Sequence, residues 1–291
     1  MRFFERVAVR GLDVASRGFE RLAEVNADAA RTTRFLREHK RMEPRVSDIY
    51  VASYPRSGTT WMQMVLHQLT TDGALDFAHI SEVQPWYERS LALGTRTASS
   101  FDSMASPRVF KSHLLRRWLP RTGRFLYVVR DVCDVVVSYH RFYESHLGYR
   151  GTFDAFFDRF VEGRVQYRSW FDHVAAWRAH EGEPDVFFVD YGAMKANPVA
   201  TVERIATWLG FTSVDAERAV ERSSFAAMKA HESKFDPITE HLIDRGHIAG
   251  RFLRQGNSGG GASALTDAQR ARLSQPATRR AAPWDIAAFL H

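Results

Sequence analysis

One cysteine, Cys133, is the only thiol in the 291 residues, so no disulfide can form within the chain. A reducing compartment is the simpler setting for such a chain, and Cys133, inside an apolar stretch, reads as a small buried hydrophobe. Long hydrophobic runs are missing as well. No stretch reaches the roughly 18 apolar residues that a membrane-spanning helix needs, and the first residues lack the unbroken apolar centre of a signal peptide. The cytoplasm is therefore the expected location. No internal repeat is present, and no cluster of Cys, His and acidic residues has metal-ligand spacing, so no metal is expected. Acidic side chains are the scarcer sign: 34 Asp and Glu stand against 40 Lys and Arg, a formal net charge of +6. That balance suits a polyanionic small molecule, but nucleic acid or an anionic membrane would suit it too, and charge alone does not choose.

What is present, 45% hydrophobic residues over this length, is enough for a substantial core. The apolar run Arg124 to Val129 is continuous rather than alternating, the mark of a strand buried on both faces of a parallel sheet. Ile49 to Ala52 and Asp185 to Asp190 also have strand character, and helix-period segments lie between such runs, among them Phe153, Phe156, Phe157 and Phe160, then Trp170, Val174 and Trp177. The expected fold is α/β: a single domain with a central, mostly parallel sheet flanked by helices, in a P-loop-like nucleotide-binding architecture. Residues 1–45 read as an N-terminal helical extension, 46–275 as the domain and 276–291 as a C-terminal tail. In the extension Ala8, Leu12, Ala15, Phe19 and Leu22 draw an apolar seam with arginines standing off it. That helix would dock on the protein's own core, or else lie on a membrane surface or pair with another chain.

The chain is organised around Ser53-Tyr54-Pro55-Arg56-Ser57-Gly58-Thr59-Thr60-Trp61. This turn joins an apolar strand to a helix-like segment, so several unpaired main-chain N–H groups converge where the helix dipole favours negative charge. The result is an anion site. Here too something is missing. A Walker A loop needs Gly-x-x-x-x-Gly-Lys-[Ser/Thr]; Ser53 stands in place of the first glycine, Gly58 matches the second, and Thr59 replaces the lysine. The loop therefore lacks its partner for β- and γ-phosphates, which argues against a nucleoside triphosphate. The positive charge sits inside the loop instead, on Arg56. Tyr54 to Trp61 resembles the 5′-phosphosulfate loop of the cytosolic-type sulfotransferases, which use 3′-phosphoadenosine 5′-phosphosulfate (PAPS).

Further segments resemble the same family in the same order, so the likeness runs from about Asp48 to Gln269. In Arg108-Val109-Phe110-Lys111-Ser112-His113-Leu114 a short strand ends at Lys111 and an imidazole follows two residues on, at the edge that faces the ligand crevice of an open α/β sheet. Taken by itself His113 reads as structural; its resemblance to the Lys-[Ser/Thr]-His-Leu of sulfotransferases implies the catalytic base. The stretch from Tyr127 through Arg130-Asp131 to Ser138 resembles the family's 3′-phosphate segment, which implies that Arg130 and Ser138 hold that phosphate. A guanidinium offers a planar fork that keeps its charge. Asp131 and Asp134 read as groups that cap or orient the helix start, and His173 reads as a packed histidine. Tyr191 is implied to touch the adenine, although Gly192-Ala193 replace the usual Glu-Asp; Ser223 and Phe225 are implied to do so as well, the latter as a stacking ring. Phe252, Leu253, Arg254, Gln255 and Gly256 resemble the last grip on the 3′-phosphate, with Gln255 in place of a lysine. The run Gly259-Gly260-Gly261 reads as a mobile loop unless a ligand orders it, and Thr266-Asp267-Ala268-Gln269 as a capping box.

The resemblance implies transfer of a sulfuryl group from PAPS to a hydroxyl or amine by in-line displacement, leaving adenosine 3′,5′-bisphosphate (PAP). The catalytic residues would be His113, Lys111 and Arg56, and Ser57, Gly58, Thr59, Thr60 and Trp61 would join Arg56 in holding the 5′ end of the cofactor. Related enzymes most often carry lysine where this chain has Arg56. Arginine keeps the charge, but with a pKa above about 12 it is a poor proton donor, so its help would be purely electrostatic. Trp86, Tyr87, Phe142 and Tyr143 read as acceptor-lining residues, with plain packing as the alternative for the first two, which suggests a small hydrophobic or aromatic acceptor and no nucleic acid. No family dimerisation motif is seen near the C-terminus; monomer and homodimer both stay open. Two other classes stay open too. One is a non-catalytic PAP-binding module, in keeping with Gln255 and the glycine run; the other is a P-loop kinase, which would want the missing lysine and Mg²⁺.

Overall fold

The computed structural model describes residues 23, 25–236, 259–274 and 286–290. Four strands, β1 (Ile49–Ser53), β2 (Val109–Ser112), β3 (Arg124–Val129) and β4 (Val186–Asp190), form one parallel sheet in the spatial order β2-β1-β3-β4. Their central positions are apolar on both faces because both faces are covered. Tyr50, Ala52, Phe110, Phe125 and Tyr127 enter one core. Their neighbours Ile49, Val51, Val109, Leu126 and Val128 enter a second core on the opposite face.

The first core is closed by α3 (Tyr87–Leu93), α4 (Ala98–Asp102), α5 (Val132–His146), α6 (Phe153–Val161) and α7 (Trp170–Arg178). The aromatic stripe of α6 is buried through Phe156, Phe157 and Phe160, and Trp177 of α7 is fully enclosed. The second core is closed by α2 (Thr59–Thr70), α8 (Tyr191–Ala196), α9 (Pro198–Leu209) and α10 (Ala216–Arg222). Proline opens α9 and Gly210, in the left-handed region, ends it. The molecule is thus a single α/β domain with helices on both faces of its sheet. Below the first core, Arg108 and Asp48, neither with any exposed surface, meet side-on through Nε–Oδ1 at 2.7 Å and Nη2–Oδ2 at 2.6 Å, which ties the start of β2 to the start of β1.

Strand order decides where a ligand can go. From β1 the chain crosses to β2 on one side and then returns to β3 on the other side of β1, so the crossovers part above the carboxyl ends of β1 and β3. Ser53 ends one strand there and Val129 the other.

Of the expected N-terminal extension, residues 25–41 form a helix, α1, docked on the first core: Phe35 is buried, Arg34 Nη1 donates to the Ala92 carbonyl at 3.0 Å, and His39 Nδ1 lies 2.7 Å from the Tyr87 hydroxyl. The seam from Ala8 to Leu22 lies outside the described residues. Nothing in the sequence singles out residues 286–290, yet Phe289 and Leu290 are buried, with Phe289 edge-on to Trp118 at 4.9 Å and the Leu290 carbonyl accepting from Arg89 Nη1 at 3.2 Å.

The glycine run departs from the mobile loop expected of it. Gly260–Ser263 forms a short helix, α12, and the Asp134 carboxylate accepts from Gly259 N at 2.9 Å and from Gly261 N at 2.7 Å. Residue 261 must be glycine because its Cβ would lie 2.4 Å from the main chain of Cys133 and Asp134, which cannot step aside as a side-chain tip can. Gly261→Ala is accordingly expected to cost about 1–3 kcal/mol of stability, the usual range for overpacking. Chemical denaturation would measure it, and a change below about 0.5 kcal/mol would mean that the contact gives way freely. Beyond the run, the expected capping box is present at the start of α13 (Asp267–Ser274): Thr266 N donates to Gln269 Oε1 and Gln269 N to Thr266 Oγ1.

Candidate active site

The turn between β1 and α2 is held from several directions. Its ends are joined by the Ser53 and Thr59 hydroxyls, 2.6 Å apart. Arg56 adopts φ 68°, a left-handed conformation that a residue with a side chain keeps only when its surroundings fix it. The fixing groups are Arg130, whose Nη1 donates to the Arg56 carbonyl at 3.2 Å, and Ser138, whose Oγ accepts from Arg56 Nε at 3.1 Å. Gly58, at φ 103°, meets the ring of Tyr191: a Cβ there would lie 2.6 Å from Tyr191 Cδ2, so only glycine leaves room. Tyr191 in turn lies edge-on to Trp61 at 5.4 Å and beneath the Arg130 guanidinium at 4.4 Å. The structure therefore gathers Arg56, Gly58, Trp61, Arg130, Ser138 and Tyr191 around one point.

That point suits a phosphate. No side chain caps the N-terminus of α2, so its first-turn amides are left for an outside acceptor, and Ser57 Oγ is buried without a partner among the described residues. Thr60 opens the same turn as a half-exposed residue; the Thr59 hydroxyl, by contrast, is spent on Ser53. Two guanidiniums, those of Arg56 and Arg130, complete the anion-binding character.

At the carboxyl end of β2, His113 Nδ1 lies 2.7 Å from the Ser53 carbonyl, which can only accept, so the proton is on Nδ1 and Nε2 keeps its lone pair. Burial, then the charge on Lys111, hold the imidazole well below its ordinary pKa, outweighing the bond to Ser53. The imidazole is therefore neutral. The Lys111 ammonium lies over the Trp86 ring at 3.9 Å from its centroid; burial draws its pKa down to about 8, with Arg56 acting the same way and Glu88 opposing. Trp86 and Tyr167 stand edge-on to His113, each 5.2 Å away. Phe142 lies under Arg56, with the guanidinium carbon 5.2 Å from the ring centroid.

Several expected residues lie elsewhere. Tyr87 is a correction: although next to Trp86, it has no exposed surface and packs between Phe35, Tyr50 and Phe101, because α3 begins there and turns its ring into the core. It cannot line an acceptor pocket. Tyr143 is likewise packed on Tyr139 and Phe156, and its hydroxyl accepts from Gln166 N at 2.6 Å, steadying the turn that presents Tyr167. The Ser223 hydroxyl folds back on the Ala219 carbonyl at 2.7 Å and has no exposed surface, so it is satisfied within its own helix end rather than held out to a nucleotide. Phe225 opens α11 (Phe225–Ala230), whose Met228 packs with Met64 of α2. Phe252, Leu253, Arg254, Gln255 and Gly256 lie outside the described residues.

Others emerge only from the three-dimensional arrangement. Tyr167, at φ 65°, is the ring beside His113. His173, packed as expected, donates or accepts on both nitrogens: Nδ1 is 2.9 Å from the Tyr127 hydroxyl and Nε2 3.0 Å from the His113 carbonyl. Since that carbonyl only accepts, His173 carries its proton on Nε2. Asp131 caps α5 through Cys133 N and Asp134 N, whereas Asp134, 3.5 Å from Arg130, anchors the glycine segment.

The sulfotransferase domain family model matches residues 46–281. Sulfotransferase 2B1 of Homo sapiens is 32% identical over 259 residues, which cover 83% of this chain and 69% of that protein. Sulfotransferase 1C2 of Oryctolagus cuniculus is 28% identical over 246 residues, covering 80% and 82%. Among solved structures, a mouse sulfotransferase complexed with PAP matches with a TM-score of 0.65 at 25% identity, over 84% of this chain and 87% of that one. Retinol dehydratase, in complex with androsterone and inactive cofactor PAP, shares the fold with a TM-score of 0.68 at 21% identity, over 85% and 88%.

Proposed function

Since the chain belongs to the sulfotransferase domain family, we propose that it moves the sulfuryl group of PAPS to the hydroxyl or amine of a small hydrophobic or aromatic acceptor, with His113 as the base. PAPS supplies the activated sulfuryl group and PAP is what remains. The first-turn amides of α2, Ser57 and Thr60 would hold the 5′-phosphate, and Arg130 with Ser138 the 3′-phosphate, beside Tyr191. Lys111 and Arg56 put positive charge where negative charge grows during transfer. The observation that carries the reading is the tautomer of His113. With Nδ1 committed to Ser53, the lone pair on Nε2 is available to take an acceptor's proton. The aromatic surroundings, Trp86, Tyr167 and Phe142, favour an apolar acceptor.

Turnover tests this directly. Incubated with PAPS and a panel of phenols and hydrophobic alcohols, the full chain is expected to release PAP together with a sulfated product; tight PAP binding without product across the panel would instead mark a binding module. The pH profile of kcat/KM for PAPS carries a second expectation, because it reports groups of the free enzyme. His113 must be neutral and Lys111 charged. The first condition holds above the lowered pKa of His113, and the second fails as pH rises through about 8. The profile should therefore fall about tenfold per unit above pH ~8 and show no descending acid limb until below pH ~6.5. A profile that stays level to pH ~10 would show that no required charge on Lys111 is lost near pH ~8.

A further inference from the structure

Behind Lys111 and His113 is a carboxylate that the scheme above leaves unused. Glu88, in the first turn of α3, has no exposed surface. Its Oε1 accepts from Trp86 Nε1 at 2.7 Å and from His113 N at 2.8 Å, and its Oε2 accepts from Ser112 Oγ at 2.9 Å. Ser112 Oγ also accepts from Leu114 N at 3.0 Å. An ionised carboxylate answers all three donors at once. Burial pushes the pKa of Glu88 up, and the hydrogen bonds work against that push.

The partners of Glu88 are the supports of the two reactive groups. The indole whose N–H it accepts is the ring on which the Lys111 ammonium rests, and the same ring stands against His113. Main-chain pairing reinforces the link: Trp86 and Lys111 form a parallel bridge, with Lys111 N donating to the Pro85 carbonyl at 3.0 Å. Donation of the indole N–H to a carboxylate leaves more electron density on the ring, which strengthens its hold on a cation. The amide it accepts is that of His113 itself. A plain core position at the foot of α3 would be filled more cheaply by an apolar side chain, since burying a carboxylate carries a desolvation cost of several kcal/mol.

We propose that Glu88 is a positioning residue: through the indole of Trp86 it seats the ammonium of Lys111, and through the main-chain amide of His113 it seats the imidazole, so one buried carboxylate sets both groups. The proposal rests on the reading of Lys111 and His113 given above. The other ionisable groups facing this unit are Arg56 from the β1–α2 turn, Arg89 and Tyr87 from α3, Tyr167, and His173 from α7. Arg56 disfavours the charge on Lys111, burial keeps both tyrosines neutral, and Glu88 supplies the negative charge that opposes Arg56.

Glu88→Gln isolates that charge. The amide oxygen can keep the Trp86 and His113 bonds while the amide nitrogen donates to Ser112 Oγ. The titration of Lys111 can be read in the full chain without turnover, by competitive labelling with acetic anhydride at a series of pH values and peptide mass spectrometry. The Lys111 midpoint is expected to fall by at least about half a unit, because a cation that loses its counter-charge gives up its proton more readily. Turnover should fall by at least about tenfold, with KM for PAPS changing less than about threefold, since the nucleotide grip lies elsewhere. A midpoint within ~0.2 unit of wild type overturns the proposal. Should Glu88→Gln not fold, Trp86→Phe carries the test: it removes the N–H bond and keeps a ring, and the midpoint must again fall. His113→Ala separates the two readings. If it abolishes turnover while the Lys111 midpoint of Glu88→Gln stays in place, the base stands and Glu88 falls; if it retains turnover, the base reading fails and the labelling judges Glu88 alone.

Discussion

Turnover of His113→Ala is expected to fall about 10²–10⁴-fold, the span that a lost general base commands, while its affinity for PAP stays within about threefold of wild type. The geometry separates the two effects. His113 touches the Ser53 carbonyl, Trp86 and Tyr167, whereas the cradle proposed for the nucleotide consists of the α2 amides, Arg130, Ser138 and Tyr191, none of which is among those contacts. The amide and carbonyl of residue 113, bonded to Glu88 and His173, survive the substitution. What is lost is the ring, and the Ser53 carbonyl loses a partner. An unpaired buried acceptor costs about 1–3 kcal/mol, so the variant should melt somewhat earlier and still be folded at room temperature. Steady-state turnover alongside calorimetric titration with PAP would check both expectations. Activity within tenfold of wild type would show that another group takes the proton.

How much of this site could be read in the chain depends on how far apart its partners lie. The turn itself was legible because it is local: Arg56 to Thr60 lie between one strand and one helix, and the missing Walker lysine argued against a nucleoside triphosphate. The parallel sheet was legible for a related reason, since β3 is apolar from Phe125 to Val129 without alternation and both its faces had to be covered. Trp86 and Tyr87 show where such reading stops. Both are aromatic and adjacent, but the helix boundary falls between them, so one ring faces His113 and the other faces the core. Glu88 would pass for an ordinary charge in a short helix, and its role appears only when Ser112 and His113, 24 and 25 residues on, close over it. The glycine run misled in the same way. Its local entropy argues for motion, yet Asp134, over 120 residues earlier, pins it. Long-range pairing of polar groups leaves almost no trace in composition or period.

Arg56 offers the other large effect. Arg56→Ala is expected to reduce turnover about 10²–10³-fold, as removal of one preorganised donor at a developing charge does; Arg56→Lys should stay within about tenfold of wild type. The reasoning starts from the main chain. Arg56 is held at φ 68° by the Arg130 bond to its carbonyl, and alanine can occupy the same backbone, so the loop persists without its cation. Its guanidinium is aimed by two contacts, the bond to Ser138 and the face of Phe142. A lysine ammonium can restore the charge but not that aimed, forked geometry. The comparison separates two roles. If the group only stabilises charge, arginine performs at least as well as lysine and the loss in Arg56→Ala is independent of pH between about 6 and 7.5, where a guanidinium does not titrate and Lys111 is still charged. If it hands over a proton, Arg56→Lys outperforms the native enzyme and its rate falls as the introduced amine titrates. Single-turnover rates for the three proteins, measured across that range with one acceptor, decide between them; wild-type turnover in Arg56→Ala would leave the residue with no part in the chemistry.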